Sequence, residues 1–424
     1  MPRTLSLIAA FCLLLVASSS SQVTAIKAGK LIDPKSGSVL TNQVILIEGS
    51  RVKAVGSSVS IPKDATVIDL SKHTVLPGLI DCHTHILLQP EDEGAIPPII
   101  TKSQAFRTVQ GVAAARKDLE AGFTTLRDVD SEGAGFADIA IRDAINQGII
   151  PGPRLLVAGD CLTITAGHMN LEGINPDIHV PDLGALTDSR DAMIATIRRN
   201  VKYGADLIKI YATGRTSQID PATMEPLCAF SVEEIKLIVD EAKRWGKDVA
   251  SHAYGGQGAR NSVLGGVYSL EHGMLLDDET LKLMVERGTY WCPTLSVYIA
   301  EGPLGMTEMR KRIIPLHKAT FQKAMKMGVK IAFGTDVGAY EHGTSAREFV
   351  KMVEYGMKPI DAIRSATTTA CELVRMEKDI GTIEPGKYAD IIATDGNPFD
   401  DIRAITRVVF VMKEGKVYRG LTAK

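Results

Sequence analysis

The sequence predicts an α/β protein whose main part is a (β/α)8 barrel, accompanied by a small β domain formed by both chain ends. Between residues 77 and 380, eight short apolar runs alternate with amphipathic stretches. That alternation, over a length sufficient for a barrel of about 250 residues, is typical of the (β/α)8 fold. The flanking segments 26–76 and 381–424 contain short β-like runs bounded by turn residues, which predicts that the two ends form one domain.

The first 25 residues have the layout of a secretory signal. Arg3 precedes an apolar run at 5–17, and serines at 18–21 and Val23-Thr24-Ala25 follow it. The run is too short to span a bilayer. We therefore expect residues 1–25 to be removed, the mature chain to be secreted or periplasmic, and no membrane association after the signal is removed.

The individual elements follow from hydrophobic periodicity. The segments 43–48 and 51–55 predict an N-terminal hairpin, and 408–412 and 417–418 predict a C-terminal one. The eight barrel runs lie at 78–81, 123–127, 154–157, 206–210, 248–251, 268–271, 290–293 and 330–334. The clearest helices are 104–121 and 232–245.

Composition excludes several classes of function. Lys and Arg total 48 against 50 Asp and Glu, a formal net charge of -2, and a nucleic-acid-binding protein usually has a basic excess. The five cysteines after the signal are far apart and odd in number. They therefore predict no disulfide framework and are interpreted as small buried apolar residues.

Six residues with metal-binding chemistry share one position, in or just after a predicted strand. His83 and His85 are two residues apart at the end of the first run, so both side chains leave the same face. In a barrel, the carboxyl ends of all strands meet at the active-site mouth. The six residues are His83, His85, Lys209, His252, His272 and Asp336.

Four motifs together make the chain resemble the metal-dependent amidohydrolase superfamily. They are Leu-Pro-Gly-Leu-Ile at 76–80, Asp-Cys-His-Thr-His at 81–85, Phe-Gly-Thr-Asp at 333–336 and Ile-Glu-Pro-Gly-Lys-Tyr-Ala-Asp at 383–390. The resemblance extends from about residue 26 to the end. It implies a distorted (β/α)8 TIM barrel plus a small β-sandwich from both chain ends, and two divalent metal ions, with zinc as the expected ion.

The resemblance also implies which residues bind the ions. His83, His85 and Asp336 would bind the more buried ion, and His252 and His272 the more exposed one.

Lys209 would bridge the ions as a carbamate formed with carbon dioxide, because an ammonium group has no lone pair to offer a cation. Related deaminases with one metal place a glutamate three residues after the histidine of the fifth strand. That position is Gly255 in this chain, which favours the two-metal arrangement.

Catalysis is predicted to involve Asp336, His168 and His252. Asp336 would accept a proton from the attacking water and pass it to the leaving amine. His168, after the third strand, is the candidate donor to the developing oxyanion. Substrate binding is predicted for Tyr211, Arg215, His342 and Leu88, with Arg215 forming a bidentate pair with a carboxylate.

Within the superfamily, the chain is most similar to imidazolonepropionase-like proteins, to Xaa-Pro and Xaa-Arg dipeptidases, and to bacterial amidohydrolases that cleave ochratoxin A. The predicted substrate is a small amide or dipeptide with a C-terminal amino acid, and the resemblance implies a homo-oligomer, with an octamer as one form. Hydrolysis of a cyclic amide, a lactone or a phosphotriester stays open. So does a non-catalytic periplasmic binding protein, which metal analysis would distinguish.

Overall fold

The structure is a computed structural model that describes residues 23–93, 97–175, 177–299 and 305–421. Its strands are β1 Val23–Asp33, β2 Ser38–Glu48, β3 Arg51–Gly56, β4 Thr66–Pro77, β5 Leu79–Thr84, β6 Phe123–Asp128, β7 Arg154–Val157, β8 Leu162–Thr163, β9 Ala185–Leu186, β10 Ile208–Tyr211, β11 Val249–Gly255, β12 Ser269–Leu275, β13 Tyr290–Cys292, β14 Lys330–Ile331, β15 Ile391–Thr394, β16 Val408–Lys413 and β17 Lys416–Arg419. Its α-helices are α1 Pro98–Thr101, α2 Gln104–Glu120, α3 Ala137–Asn146, α4 Arg190–Tyr203, α5 Val232–Arg244, α6 Gly256–Gly265, α7 Asp278–Arg287, α8 Glu308–Met327, α9 Arg347–Glu354, α10 Pro359–Ser365 and α11 Thr368–Leu373.

Both chain ends join in one seven-stranded sheet, with the order β17-β16-β15-β4-β1-β2-β3. β1 pairs in parallel with β4, and β4 pairs antiparallel with β15 from the other end of the chain. Val52 N on β3 donates to Lys387 O, just before β15, at 2.9 Å, so the sheet curves back on itself. It encloses a core that includes Ile26, Ile45 and Phe410. The predicted β domain from both ends is confirmed, as one curved and continuous sheet.

The N-terminal boundary of this domain differs from the prediction. The predicted apolar run of the secretory signal lies outside the described residues. Val23, Thr24 and Ala25, assigned above to the end of the signal, are instead the first residues of β1. Ala25 is fully buried and pairs with Leu46 and Val67. Residues 23–25 therefore belong to a paired strand of the β domain and not to a separate segment.

All eight predicted barrel runs form parallel strands: β5, β6, β7, β10, β11, β12, β13 and β14. They form two hydrogen-bonded arcs. The arcs meet where Cys82 N donates to Phe333 O at 2.8 Å. On the other side, β10 pairs with the short β8 instead of β7, and Asp206 N donates to Val157 O at 2.7 Å across the junction. The barrel is therefore distorted between its third and fourth strands.

The helices confirm the periodicity argument within one residue. Helices α2 and α5 correspond to the predicted segments 104–121 and 232–245. Ser231 and Glu234 form a capping box, with Glu234 N donating to Ser231 Oγ at 3.2 Å and Ser231 N to Glu234 Oε2 at 2.8 Å. The five cysteines after the signal are free, and Cys228 alone among them is half-buried. No helix in the described ranges is long and apolar enough to cross a membrane.

Candidate metal centre and substrate cavity

Three of the predicted ligands converge on one point at the carboxyl end of the barrel strands. His83 Nε2 lies 3.3 Å from His85 Nε2, and Asp336 Oδ1 lies 3.4 Å and 3.2 Å from these two atoms. One ligand atom from each of the three side chains lies within 4.8 Å of the others. All three side chains are largely shielded from solvent. The spacing and chemistry suit a divalent ion such as zinc.

The backbone fixes this triad from two strands. Asp336 N donates to His83 O at 2.8 Å, and His85 N donates to Val337 O at 2.9 Å. Asp81 Oδ2 accepts from Thr335 Oγ1 at 2.6 Å and so ties the end of β5 to the segment after β14. Asp336 has φ 64°, in the left-handed region that a residue other than glycine rarely adopts. Such strain is typical of functional sites.

The other predicted ligands lie on the neighbouring strands. The rings of His252 and His272 are 4.5 Å apart, and the His272 ring is 4.8 Å from that of His83. His272 has φ 70°, the same rare conformation as Asp336. Burial holds the pKa of His252 and of His272 well below the usual value, so both imidazoles are neutral, as a metal ligand must be.

Lys209 is a buried side chain whose charged end has no hydrogen-bond partner among the described residues. The residue lies on β10 and is fully buried. The nearest aromatic group is the Tyr211 ring, whose centroid is 4.8 Å from Nζ. His252 Nε2 is also buried and unpartnered. Burying a bare ammonium is costly, so these orphaned atoms fit a site completed by cations and an anionic carbamate on Lys209.

Buried charges behind the ligands orient them. Glu271 Oε2 accepts from His83 Nδ1 at 2.8 Å, which leaves Nε2 free for a metal. Arg127 Nη2 donates to Glu271 Oε1 at 2.8 Å. Burial raises the pKa of Glu271, but the charge of Arg127 and the hydrogen bond from His83 outweigh it and hold that pKa well below the usual range. On the other side, His272 Nδ1 lies 2.9 Å from Thr294 Oγ1.

A cavity of about 720 Å³ opens over these ligands, which is large enough for a dipeptide-sized molecule. Of the residues predicted to bind substrate, Leu88, Tyr211 and Arg215 line it, and so does His168. The His168 ring stacks on Tyr211 at 4.7 Å, and burial lowers the pKa of His168 to about 3. A second cavity of equal volume lies beside the start of β14 and is lined by none of the predicted site residues.

The prediction that His342 lines the substrate pocket is wrong. His342 Nδ1 bonds Asp118 Oδ2 at 2.9 Å, and Nε2 donates to Leu88 O at 3.0 Å. Burial lowers the pKa of His342, but Asp118 and Leu88 O outweigh it, and the net pKa is raised. With both ring nitrogens used, His342 instead fixes the backbone at Leu88, which does line the cavity.

The cavity also contains residues that the sequence arguments missed. Tyr254 lies two residues after His252 on β11, so the period of two could have placed it on the same face. Tyr298 and Arg310 follow β13 in segments without such a pattern. Arg127 and Glu271 do not line the cavity but lie behind the candidate ligands. The sequence contained a signal for both, since each is a charged residue inside an apolar strand.

Comparison with known proteins places this geometry in context. Residues 74–421 match the amidohydrolase family. Ochratoxinase from Aspergillus niger is 31% identical over 440 aligned residues, which cover 96% of this chain and 89% of that protein. A Xaa-Pro dipeptidase with methionine bound in its active site superposes with a TM-score of 0.85 at 36% identity, covering 94% of this chain and 100% of the other. A prolidase complexed with N-methylphosphonate-L-proline gives a TM-score of 0.84 at 29% identity, covering 93% and 99%.

Proposed function

Because the chain belongs to the amidohydrolase family and is a hydrolase of amide bonds, we propose that it releases a C-terminal amino acid from dipeptides or N-acyl amino acids. The observation that carries this proposal is the cluster of His83, His85 and Asp336 at the barrel mouth, next to the three other candidate ligands and beneath a cavity of dipeptide size. Two metal ions would be held there, with zinc as the preferred ion and Lys209 as a carbamate.

The relatives support the substrate class. The dipeptidase structure contains methionine, and the prolidase structure contains a phosphonate derivative of proline. Both ligands are built on an amino acid. The relative named ochratoxinase adds ochratoxin A as a substrate to test. In this chain, Leu88, Tyr254 and Tyr298 give the cavity apolar and aromatic walls, which suit an aryl or apolar acyl group.

The chemistry divides between the ions and the protein. Divalent ions, when bound, polarise a carbonyl and activate water at neutral pH. His83, His85 and Asp336 have the donor atoms for the more buried ion, and His252 and His272 for the other. Every one of these side chains is held by neighbouring strands, so the site is preorganised.

Asp336 has the properties of the proton carrier. Burial raises the pKa of its carboxyl, but hydrogen bonds from His83 and His85 outweigh this, and the pKa lies well below the usual range. Asp336 is therefore ionised. We assign it the proton transfer on its position beside the candidate ligand histidines: it would accept the proton of a water made more acidic by the ions and deliver it to the leaving nitrogen. His168 is neutral and so has one N–H. Its ring also bonds the Gly214 backbone, so donation to the amide oxygen as negative charge develops there would need the proton on Nδ1, the ring nitrogen without a partner among the described residues.

A substrate panel tests the proposal. Purified protein, loaded with zinc in the presence of bicarbonate, is assayed on dipeptides that vary at the C-terminal residue, on N-acetyl-L-phenylalanine and on ochratoxin A, with a lactone and an aryl phosphotriester as controls. Release of amino acids from the first group supports the proposal, and Asp336→Asn should lower kcat by about 10²–10⁴-fold. Turnover of the lactone or the phosphotriester alone contradicts it.

A further inference from the structure

Arg310 is a buried cation directed at the substrate cavity. It lies in the first turn of α8, where its N–H donates to Thr307 Oγ1 at 3.2 Å. The residue is only 8% exposed, and its side chain contributes to the wall of the cavity over the ligand triad. Its guanidinium makes one long hydrogen bond, from Nη1 to Gly305 O at 3.4 Å. Within the described ranges it has no carboxylate partner.

Two other arginines that are largely shielded from solvent have carboxylate partners, whereas Arg107, also without an ion pair in the described residues, donates to Leu87 O and does not line the cavity. Arg127 holds Glu271 at 2.8 Å, and Arg154 holds Asp390 at the same distance. A guanidinium removed from water costs free energy unless an anion and hydrogen-bond acceptors replace the lost hydration. Among the described residues, Arg310 has no such anion, and it lies in the wall of a cavity that could admit a ligand.

Arg215, the residue that the sequence suggested for a carboxylate, is already engaged. Its Nε donates to His168 O, and its Nη2 donates to Asn170 O at 2.5 Å. Two of its donor groups therefore hold the loop that carries His168 in place. Arg215 thus has a structural task that Arg310 does not have.

Arg310 lines the same cavity as the candidate ligand histidines. The Tyr298 ring lies 6.2 Å from the His272 ring and 6.3 Å from the Tyr254 ring. Tyr298, His272 and Arg310 all line this one cavity.

We propose that Arg310 is the specificity-determining residue that binds the free carboxylate of the leaving amino acid. This inference rests on the proposed function and deepens it. A guanidinium matches a carboxylate in charge and planar geometry, and binding in a buried setting strengthens the pair. The enzyme would then select amides whose leaving amine carries a carboxylate and would discriminate against the same amide without one.

The test compares two substrates that differ only in that group, N-acetyl-L-phenylalanine and N-acetyl-2-phenylethylamine. In the zinc-loaded full chain, Arg310→Met should lower kcat/KM on the acid by about 30- to 1,000-fold, the usual effect of removing one partner of a buried charge pair. On the neutral amide its kcat/KM should stay within about threefold of wild type. Arg310→Lys should recover part of the activity on the acid, because it restores the charge without the planar fork.

Arg312→Met is the matched control, since Arg312 is exposed on the same helix and donates to Pro221 O. It should leave both substrates unchanged. Equal losses on acid and neutral amide in Arg310→Met would overturn the inference, because a merely structural role lowers both.

A binding measurement separates failure of this inference from failure of the proposed function. Calorimetric titration of the same proteins with the product L-phenylalanine requires no amide cleavage. Weaker binding to Arg310→Met than to wild type and Arg312→Met supports the carboxylate role even if the substrate panel fails. Equal binding to all three, or no measurable binding to wild type, overturns it.

Discussion

Replacing Arg127 with Met should destabilise the barrel and disturb the ligand set together. Arg127 Nη1 donates to Ser269 Oγ at 2.9 Å, and its Nη2 binds Glu271, which in turn orients His83. The side chains of Arg127 and Glu271 are 5% and 0% exposed. Met fills similar space but leaves the Glu271 carboxylate buried without its counter-charge.

The expected magnitude follows from this burial. Removing one partner of a buried ion pair costs roughly 3–5 kcal/mol of unfolding free energy. Disturbing the residue that orients a ligand histidine typically weakens metal binding by about 10–100-fold. In the variant, burial would raise the pKa of Glu271, and the folded protein would bind a proton there more tightly than the unfolded chain. The loss of stability should therefore be greater at pH 8 than at pH 5.

Urea unfolding followed by tryptophan fluorescence measures the loss of unfolding free energy, and metal analysis measures the loss of bound metal. Arg127→Met with Glu271→Gln removes both charges and should recover much of the stability. Arg116→Met is the control, because the exposed Arg116–Glu120 pair should contribute at most about 1 kcal/mol. A cost below about 1 kcal/mol for Arg127→Met, or a double variant as unstable as the sum of the single ones, would refute the reasoning.

Two further predictions concern the backbone and the pH dependence. Gly338 has φ 119°, and an added Cβ would lie 2.5 Å from His85 O, so Gly338→Ala should lower metal content and reduce kcat/KM more than tenfold. Gly328 also has a positive φ but has open space around it, so Gly328→Ala is the control and should keep its activity. Equal losses in the two variants would exclude a clash at His85 as the cause. Burial raises the pKa of Glu348 from 4.5 to about 7, although it accepts from Ser296 N at 2.8 Å. Because the folded state holds this proton more tightly, the unfolding free energy should fall by about 3 kcal/mol as pH rises from 4.5 to 7. Urea unfolding across that pH range should show this fall in unfolding free energy in the wild type, and the fall should be absent in Glu348→Gln. If the variant shows the same fall with pH as the wild type, groups other than Glu348 cause it.

The residues that the sequence located best are those whose role depends on position along a strand. His83 and His85 are two residues apart, so strand geometry alone puts them on one face. His252, His272 and Asp336 follow from the rule that barrel strands end at a common mouth. The structure brings these side chains together with no information beyond element order.

Residues whose role depends on side-chain direction could not be located in this way. His342 is close in sequence to Asp336, yet it turns away from the cavity to Asp118. Arg310 lies in a helix whose charge pattern resembles an ordinary exposed surface, and only its burial in the cavity wall distinguishes it. The start of β1 at Val23 likewise depends on pairing with distant strands, which no local composition reveals.

The central claim, that the six ligand residues bind two divalent ions with Lys209 between them, is tested most directly by metal stoichiometry. Protein loaded with zinc in bicarbonate buffer and freed of excess metal should contain about two ions per chain in the wild type, and no more than about one in Lys209→Ala. The exposed Lys236 provides the control, and Lys236→Ala should keep both ions. A wild type without bound zinc, or a Lys209→Ala variant that retains two ions, would contradict the account.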